Sequence, residues 1–174
     1  MKILGIDPGS IVTGYGVVRK GGRGRLTHLC DGEIRPAPGT SLPERLLVIS
    51  DGIKRVIDEQ APDAVAIESV FFAKNVRSAI ILGHARAVPL LTAASSGLRV
   101  FEYAPRSVKL TVTGYGNATK EQVQKMVGIL LNIGKTPGPD ASDALAVAIC
   151  HIQAATTGIE PLMKRNSKRR LKAL

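Results

Sequence analysis

The sequence predicts an α/β domain: a mixed five-stranded sheet with helices on both faces. Two observations carry this. The first third of the chain holds three short strand-like runs separated by turn residues. Beyond it, short apolar runs alternate with longer stretches of helical period. A chain of 174 residues, 44% hydrophobic, is long enough for one domain with a real core and too apolar to be disordered.

Lys2–Asp7 reads as a short apolar strand. Gly14–Lys20 and Arg25–Ile34 follow, joined by the Gly21-Gly22-Arg23-Gly24 turn. Pro36, Pro38 and Gly39 make a loop of residues 35–40. From Leu42 to Glu59 the pattern turns helical, with Leu46, Ile49, Ile53, Val56 and Ile57 on one face. Asp63–Glu68 is short and apolar enough for a central strand. A long helix is expected from about Asn75 to Ser95, with Pro89 kinking it or ending it early. Leu98–Tyr103 is a further strand and Pro105–Thr111 a short helix. Thr119 with Gln122 resembles a capping box that opens a helix to about Leu131. Pro137-Gly138-Pro139 breaks the chain before a last helix, Asp140 to about Thr157. Hairpin turns make the three leading strands antiparallel neighbours. Right-handed crossovers through helices set the later two parallel to the first.

The long helix is unusual. Ile80, Ile81, Leu82, Ala85, Ala87, Val88, Leu90, Leu91 and Ala93 cover more than one face. A helix apolar on most sides is buried on most sides, so its second side needs a second partner, such as another copy of the chain.

Net charge is +10 and unevenly spread. Six of the 24 basic residues (Lys164, Arg165, Lys168, Arg169, Arg170 and Lys172) lie in the last eleven positions, where there is no acid. We expect a folded unit over residues 1–158 and a basic, flexible tail over 159–174. That asymmetry points to a polyanionic partner. Cys30 and Cys150 sit in apolar surroundings without a C-x-x-C, and read as buried free thiols of a reducing, cytoplasmic compartment. Asp7 interrupts the N-terminal apolar run, against a signal peptide. The most apolar stretch, Ala79–Ala94, contains His84 and Arg86, so no membrane span is expected.

Four acids frame the chain. Asp7 and Glu68 end two strands, and Asp140 and Asp143 open the last helix at spacing i, i+3. In an open α/β sheet, sites lie at the carboxyl ends of the central strands. Four carboxylates converging there repel one another unless cations intervene, and oxygen-only ligation suits Mg²⁺ or Mn²⁺. Two such ions, roughly 3.5–4 Å apart, form the clamp used for in-line displacement at phosphorus. On a basic body, this reads as an enzyme that cuts nucleic acid. As an alternative, Asp-x-x-Asp after Pro-Gly-Pro is also a helix N-cap followed by an acid in the first turn.

Four segments resemble the bacterial RuvC-type Holliday-junction resolvases. They are Gly5-Ile6-Asp7-Pro8-Gly9-Ser10 with Thr13–Val18, Ile67–Asn75, Thr113–Val123 and Asp140–Ala146. The resemblance spans about Lys2 to His151. Ser69 departs from it, standing where glutamine is expected, and the basic tail is longer than usual. It implies an RNase H-like fold and a Mg²⁺-dependent endonuclease that nicks four-way DNA junctions in pairs, leaving 5′-phosphate and 3′-hydroxyl ends. Asp7, Glu68, Asp140 and Asp143 would hold two ions, with Mn²⁺ able to substitute. The resemblance also implies a homodimer, short T-rich cleavage sites and a branch-migration motor of the RuvA and RuvB type as partner. Phe71, one of only six aromatic residues, would stack on or wedge the junction, with Phe72 beside it. Lys74, Arg77, Lys109 and Lys120, with Arg106 nearby, would hold phosphates. The rival expectation is an RNase H-like nuclease acting on another nucleic acid, such as an RNA–DNA hybrid.

Overall fold

The N-terminal run forms the middle of the sheet. The computed structural model describes residues 1–69, 75–135 and 137–158. Strands β1 (Lys2–Asp7), β2 (Thr13–Lys20) and β3 (Leu26–Ile34) are consecutive and antiparallel. The turn between β2 and β3 is a short 3₁₀ segment, Gly22–Gly24. Helix α1 (Leu42–Gln60) leads to β4 (Ala64–Glu68), and α2 (Val76–Ser95) leads to β5 (Arg99–Tyr103). The sheet order is β3-β2-β1-β4-β5, with β4 parallel to β1 and β5 parallel to β4. Helices α3 (Pro105–Thr113), α4 (Lys120–Leu131) and α5 (Pro139–Thr157) complete the chain. The mixed sheet follows the sequence reading strand for strand.

Two cores lie on opposite faces of the sheet, because successive strand side chains alternate. Ile3, Val18, Ala64, Ala66 and Phe101 face α3, α4 and α5. Leu4, Ile6, Val17, Val65 and Ile67 face α1 and part of α2. Helix ends match their local chemistry. Ser41 with Glu44 and Thr119 with Gln122 form reciprocal capping boxes.

Helix α5 departs from simple packing. It lies directly on the backbone of β1 and β2, because glycines there carry no Cβ. A methyl group on Gly5 would stand 2.0 Å from the Ala144 carbonyl oxygen, and one on Gly14 would stand 2.1 Å from that of Asp140. Gly5 pairs with Gly16 across the two strands, and Gly14 pairs with Asp7. The helix itself is almost wholly buried from Ala144 to Ile152.

Several expectations are corrected. Pro89 does not end α2 early; the helix continues to Ser95, the end its expected span gave, with Pro89 buried. Within this chain one side of the helix is buried and the other is open, the side the sequence reading reserved for a second partner. Ala85, Pro89, Thr92 and Ala93 are buried, whereas Val76, Ile80, Gly83, Ala87, Leu91 and Ala94 form one exposed stripe. By length and composition α2 is apolar enough to cross a membrane, contrary to the sequence expectation. Its Arg86 nonetheless pairs with Glu102 on β5, and Thr92 shares a hydrogen bond with Ser50 on α1. Cys30 is only half-buried, since it lies on the outer strand β3; both thiols are free. The expected tail, 159–174, lies outside the described residues.

Gly5→Ala should destabilise the fold by about 1–3 kcal/mol or more, the scale of overpacking a filled interface. A lower urea midpoint with an unchanged slope would show this; an unchanged midpoint would mean that α5 can lift from β1 freely.

Candidate active site

Asp7 and Glu68 end neighbouring parallel strands, β1 and β4, so they lie side by side at the carboxyl end of the sheet. Asp140 and Asp143 arrive from α5. The cap of α5 is Gly138, with no side-chain capping bond, and Pro139 takes the first helical position. Asp140 thus stands inside the first turn rather than at the cap. The capping alternative does not occupy its carboxylate. The contact of Gly14 with the Asp140 carbonyl sets the start of α5 beside the strand that ends at Asp7.

The four acids share one electrostatic field. Burial raises the Asp7 carboxyl to about 6, and the charges of Asp143 and Asp140 add to the rise, while Lys120 opposes it. Burial raises Glu68 to about 7, helped by Asp7 and Asp143 and opposed by Lys120 and Lys109. Lys120 donates a hydrogen bond from Nζ to Asp143 Oδ2 at 2.9 Å. That bond and the surrounding acids raise the pKa of Lys120. The ammonium group sits among the acids as their counter-charge. Among the described residues, no three acidic, imidazole or thiol groups are drawn tightly enough together to cage an ion.

The other residues singled out in the sequence divide. Lys109 and Lys120 join the acids. Arg106 lies against the backbone of Gly116 in the loop between α3 and α4. Arg77 instead lines a groove between the starts of α1 and α2, with Leu42, Arg45, Ile80 and His84. Phe71, Phe72 and Lys74 lie outside the described residues.

Two supports were not read from the sequence. Thr13 is fully buried and clamps the loop after Asp7: its Oγ1 donates to the Gly9 carbonyl at 2.8 Å and accepts from the Gly9 N–H at 3.4 Å. Ser69, the departure from the family pattern, anchors the chain just past Glu68. Its N–H and its Oγ both donate to the Tyr103 carbonyl, at 2.8 and 3.1 Å. The only hint of the Thr13 clamp was a threonine four residues after a glycine turn; Ser69 gave none.

A sheet of this order, with an acid-bearing last helix laid across it and acids at the ends of two central strands, defines an RNase H-like α/β domain. The family model described as crossover junction endodeoxyribonuclease RuvC matches residues 3–151. A protein of that name from Trichlorobacter lovleyi is 51% identical over 154 residues, covering 88% of this chain and 86% of the relative. The structure of RuvC from Thermus thermophilus superposes with a TM-score of 0.84 at 34% identity, covering 93% of this chain and all of that one. The same protein in complex with a Holliday junction substrate gives 0.86, also at 34% identity, covering 93% of this chain and 99% of that one. The chain belongs to the RuvC family of crossover junction endodeoxyribonucleases.

The raised acids make stability depend on pH. Asp7 and Glu68 keep their protons to a higher pH when folded than when unfolded, where they titrate near 3.8 and 4.5. Between those values and about 7 the folded state binds more protons, so stability falls as pH rises. Without divalent ions, the melting temperature should drop by several degrees from about pH 5 to about pH 8; each kcal/mol moves it by about 2–4 °C. An Asp7→Asn, Glu68→Gln double variant should flatten that slope. An equally steep slope in the variant would place its cause elsewhere.

Proposed function

We propose that this protein is a structure-selective endodeoxyribonuclease that resolves four-way DNA junctions by paired nicks, using two divalent ions, Mg²⁺ or Mn²⁺. The observation that carries the proposal is the seating of α5 on Gly14, which brings Asp140 and Asp143 into the field of Asp7 and Glu68. The Thermus thermophilus relative has a Holliday junction as its substrate in the complex described above, which supports the same substrate here.

The donor set suits hard cations. It offers carboxylates alone, two of them partly buried, with Asp7 raising the proton affinity of Glu68 and Asp143 raising that of both. Asp7, Glu68, Asp140 and Asp143 would hold two such ions, which would supply a water nucleophile at neutral pH and stabilise the departing 3′ oxygen. The chain's own residues do the rest. Asp7 and Glu68 shed their protons before the ions enter. Lys120 leaves Asp143 and turns to a phosphate, and Lys109 holds a neighbouring one; both contacts are blind to sequence. Phe71, with Phe72 beside it, stacks on bases at the opened crossover. Attack at phosphorus breaks the O3′–P bond and leaves 5′-phosphate and 3′-hydroxyl ends.

The working unit is a two-fold homodimer. Val76, Ile80 and Leu91, exposed by 76%, 55% and 70%, lie on one face of α2 with Gly83, Ala87 and Ala94 between them. A second copy of α2 fits this stripe, and a near two-fold junction then meets two equivalent sites. The same reading places the protein in the bacterial cytoplasm, with T-rich cleavage sites and a branch-migration motor of the RuvA and RuvB type.

Replacing any one of the four acids by its amide should reduce junction cleavage by at least about 10²-fold, the scale of losing one electrostatic partner of the transition state. Junction binding should persist. Gel assays on a four-way junction and on an RNA–DNA hybrid, with Mg²⁺ or EDTA, check this. Normal cleavage by the Asp140→Asn and Asp143→Asn proteins, or better cleavage of the hybrid, would overturn it.

Ile80→Glu with Leu91→Glu should convert the dimer to monomer in sedimentation and paired incision to single nicks. A wild-type monomer, both free and on the junction, would remove the dimer from the proposal.

A further inference from the structure

Three segments without a single acidic residue meet at the end of the sheet remote from Asp7. They are residues 19–27 at the β2–β3 hairpin, 127–135 at the end of α4 and 150–158 at the end of α5. Lys20 donates a hydrogen bond from Nζ to Thr156 Oγ1, which ties the hairpin to α5. A groove there is lined by Arg25, His28, Asn132, Ile133 and Gln153. Arg23, Arg25 and Lys135 are exposed, and none of them forms an ion pair among the described residues. Asp31, the acid nearest in sequence to the hairpin, is bonded to His28. Arg23 has a φ of 55° between two glycines. That conformation strains any side chain, yet the hairpin tip carries a guanidinium there.

This end is far from the acids. Helix α5 runs from Asp140 at the site to Thr157 at this pole, and its 19 residues span about 28 Å at 1.5 Å each. At 0.1 M salt, exposed charges interact over about 10 Å. Cations at this pole therefore do not hold a phosphate at the acids. The chain also leaves α5 here, at Gly158, and the six tail cations follow within the next 14 positions.

We propose that this pole is a second DNA-binding surface, which takes the phosphate backbone of a duplex other than the one held at the acids. Lys20, Arg23, Arg25 and Lys135 form it. Exposed arginines and lysines without an aromatic platform make phosphate contacts and do not read sequence. The protein would thus hold a junction at one end and a neighbouring duplex at the other. The proposal rests on the junction reading only for the choice of DNA as the polyanion.

The test is a two-step capture in EDTA. Full-length protein is loaded on an immobilised four-way junction, and in parallel on an immobilised linear duplex. A labelled linear duplex is then offered at about 50 mM salt. Wild type should capture it on both supports. A triple variant, Arg23→Gly, Arg25→Gln and Lys135→Gln, should capture at least about tenfold less while its own retention on the support is unchanged. Its log–log salt slope for the second duplex should fall by up to about 2.7, at 0.9 per lost phosphate contact. Arg23→Gly relaxes the positive φ, and an undiminished melting temperature shows that the variant is folded. Equal capture by the variant, no capture by wild type, or preferential capture of RNA would overturn the proposal. Failure of the junction reading shows separately, as first-step loading that does not favour the junction over linear duplex.

Discussion

The backbone contact between α5 and the sheet is the constraint on which the rest depends. A helix ordinarily rests on side chains and stands off a sheet accordingly. Here Gly5 and Gly14 remove those side chains, and the Ala144 and Asp140 carbonyls occupy the space a Cβ would fill. The approach does two things at once. It buries α5 from Ala144 to Ile152 as the spine of one core. It also sets the first turn of α5 against the strand pair that carries Asp7. Stability and site geometry rest on the same contact, so neither can change without the other.

The site that results is electrostatically costly. Asp7 and Glu68 are raised to about 6 and about 7 by burial and by the nearby acids. Lys120 offsets part of that repulsion through its bond to Asp143. The neighbouring loops are fastened by Thr13 on one side and Ser69 on the other. These bonds fix the backbone beside each strand-end acid, which preorganises the carboxylates at little cost in side-chain entropy.

Charge is arranged along the length of α5. Acids gather where it begins, and exposed cations gather where it ends. The apolar stripe on α2 lies on another face again, because α1 and α2 cover the opposite side of the sheet. Acidic site, basic pole and apolar stripe therefore occupy separate surfaces, and each can meet a different partner without competition.

Much was legible in the sequence because it was local. Strand and helix spans follow from periodicity and turn residues, the Thr119–Gln122 capping box from spacing, and strand directions from short hairpins and right-handed crossovers. The four acids stood out because each ends or opens an apolar run. Other features needed the third dimension. Periodicity showed that α2 is apolar on more than one face, yet only packing decided that the Ala85–Ala93 side is buried and the Ile80–Leu91 side is not. Pro89 signals a break locally, yet the helix continues through it with the ring buried. Arg77 looked like a companion of the acids by proximity in sequence, and the path of α2 leads it to a different groove. The Gly5 and Gly14 contacts, the Ser69 bonds to Tyr103 and the meeting of Lys20 with Thr156 join residues distant along the chain. Sequence fixes what each segment prefers by itself; which distant segments touch is decided by how the two cores close.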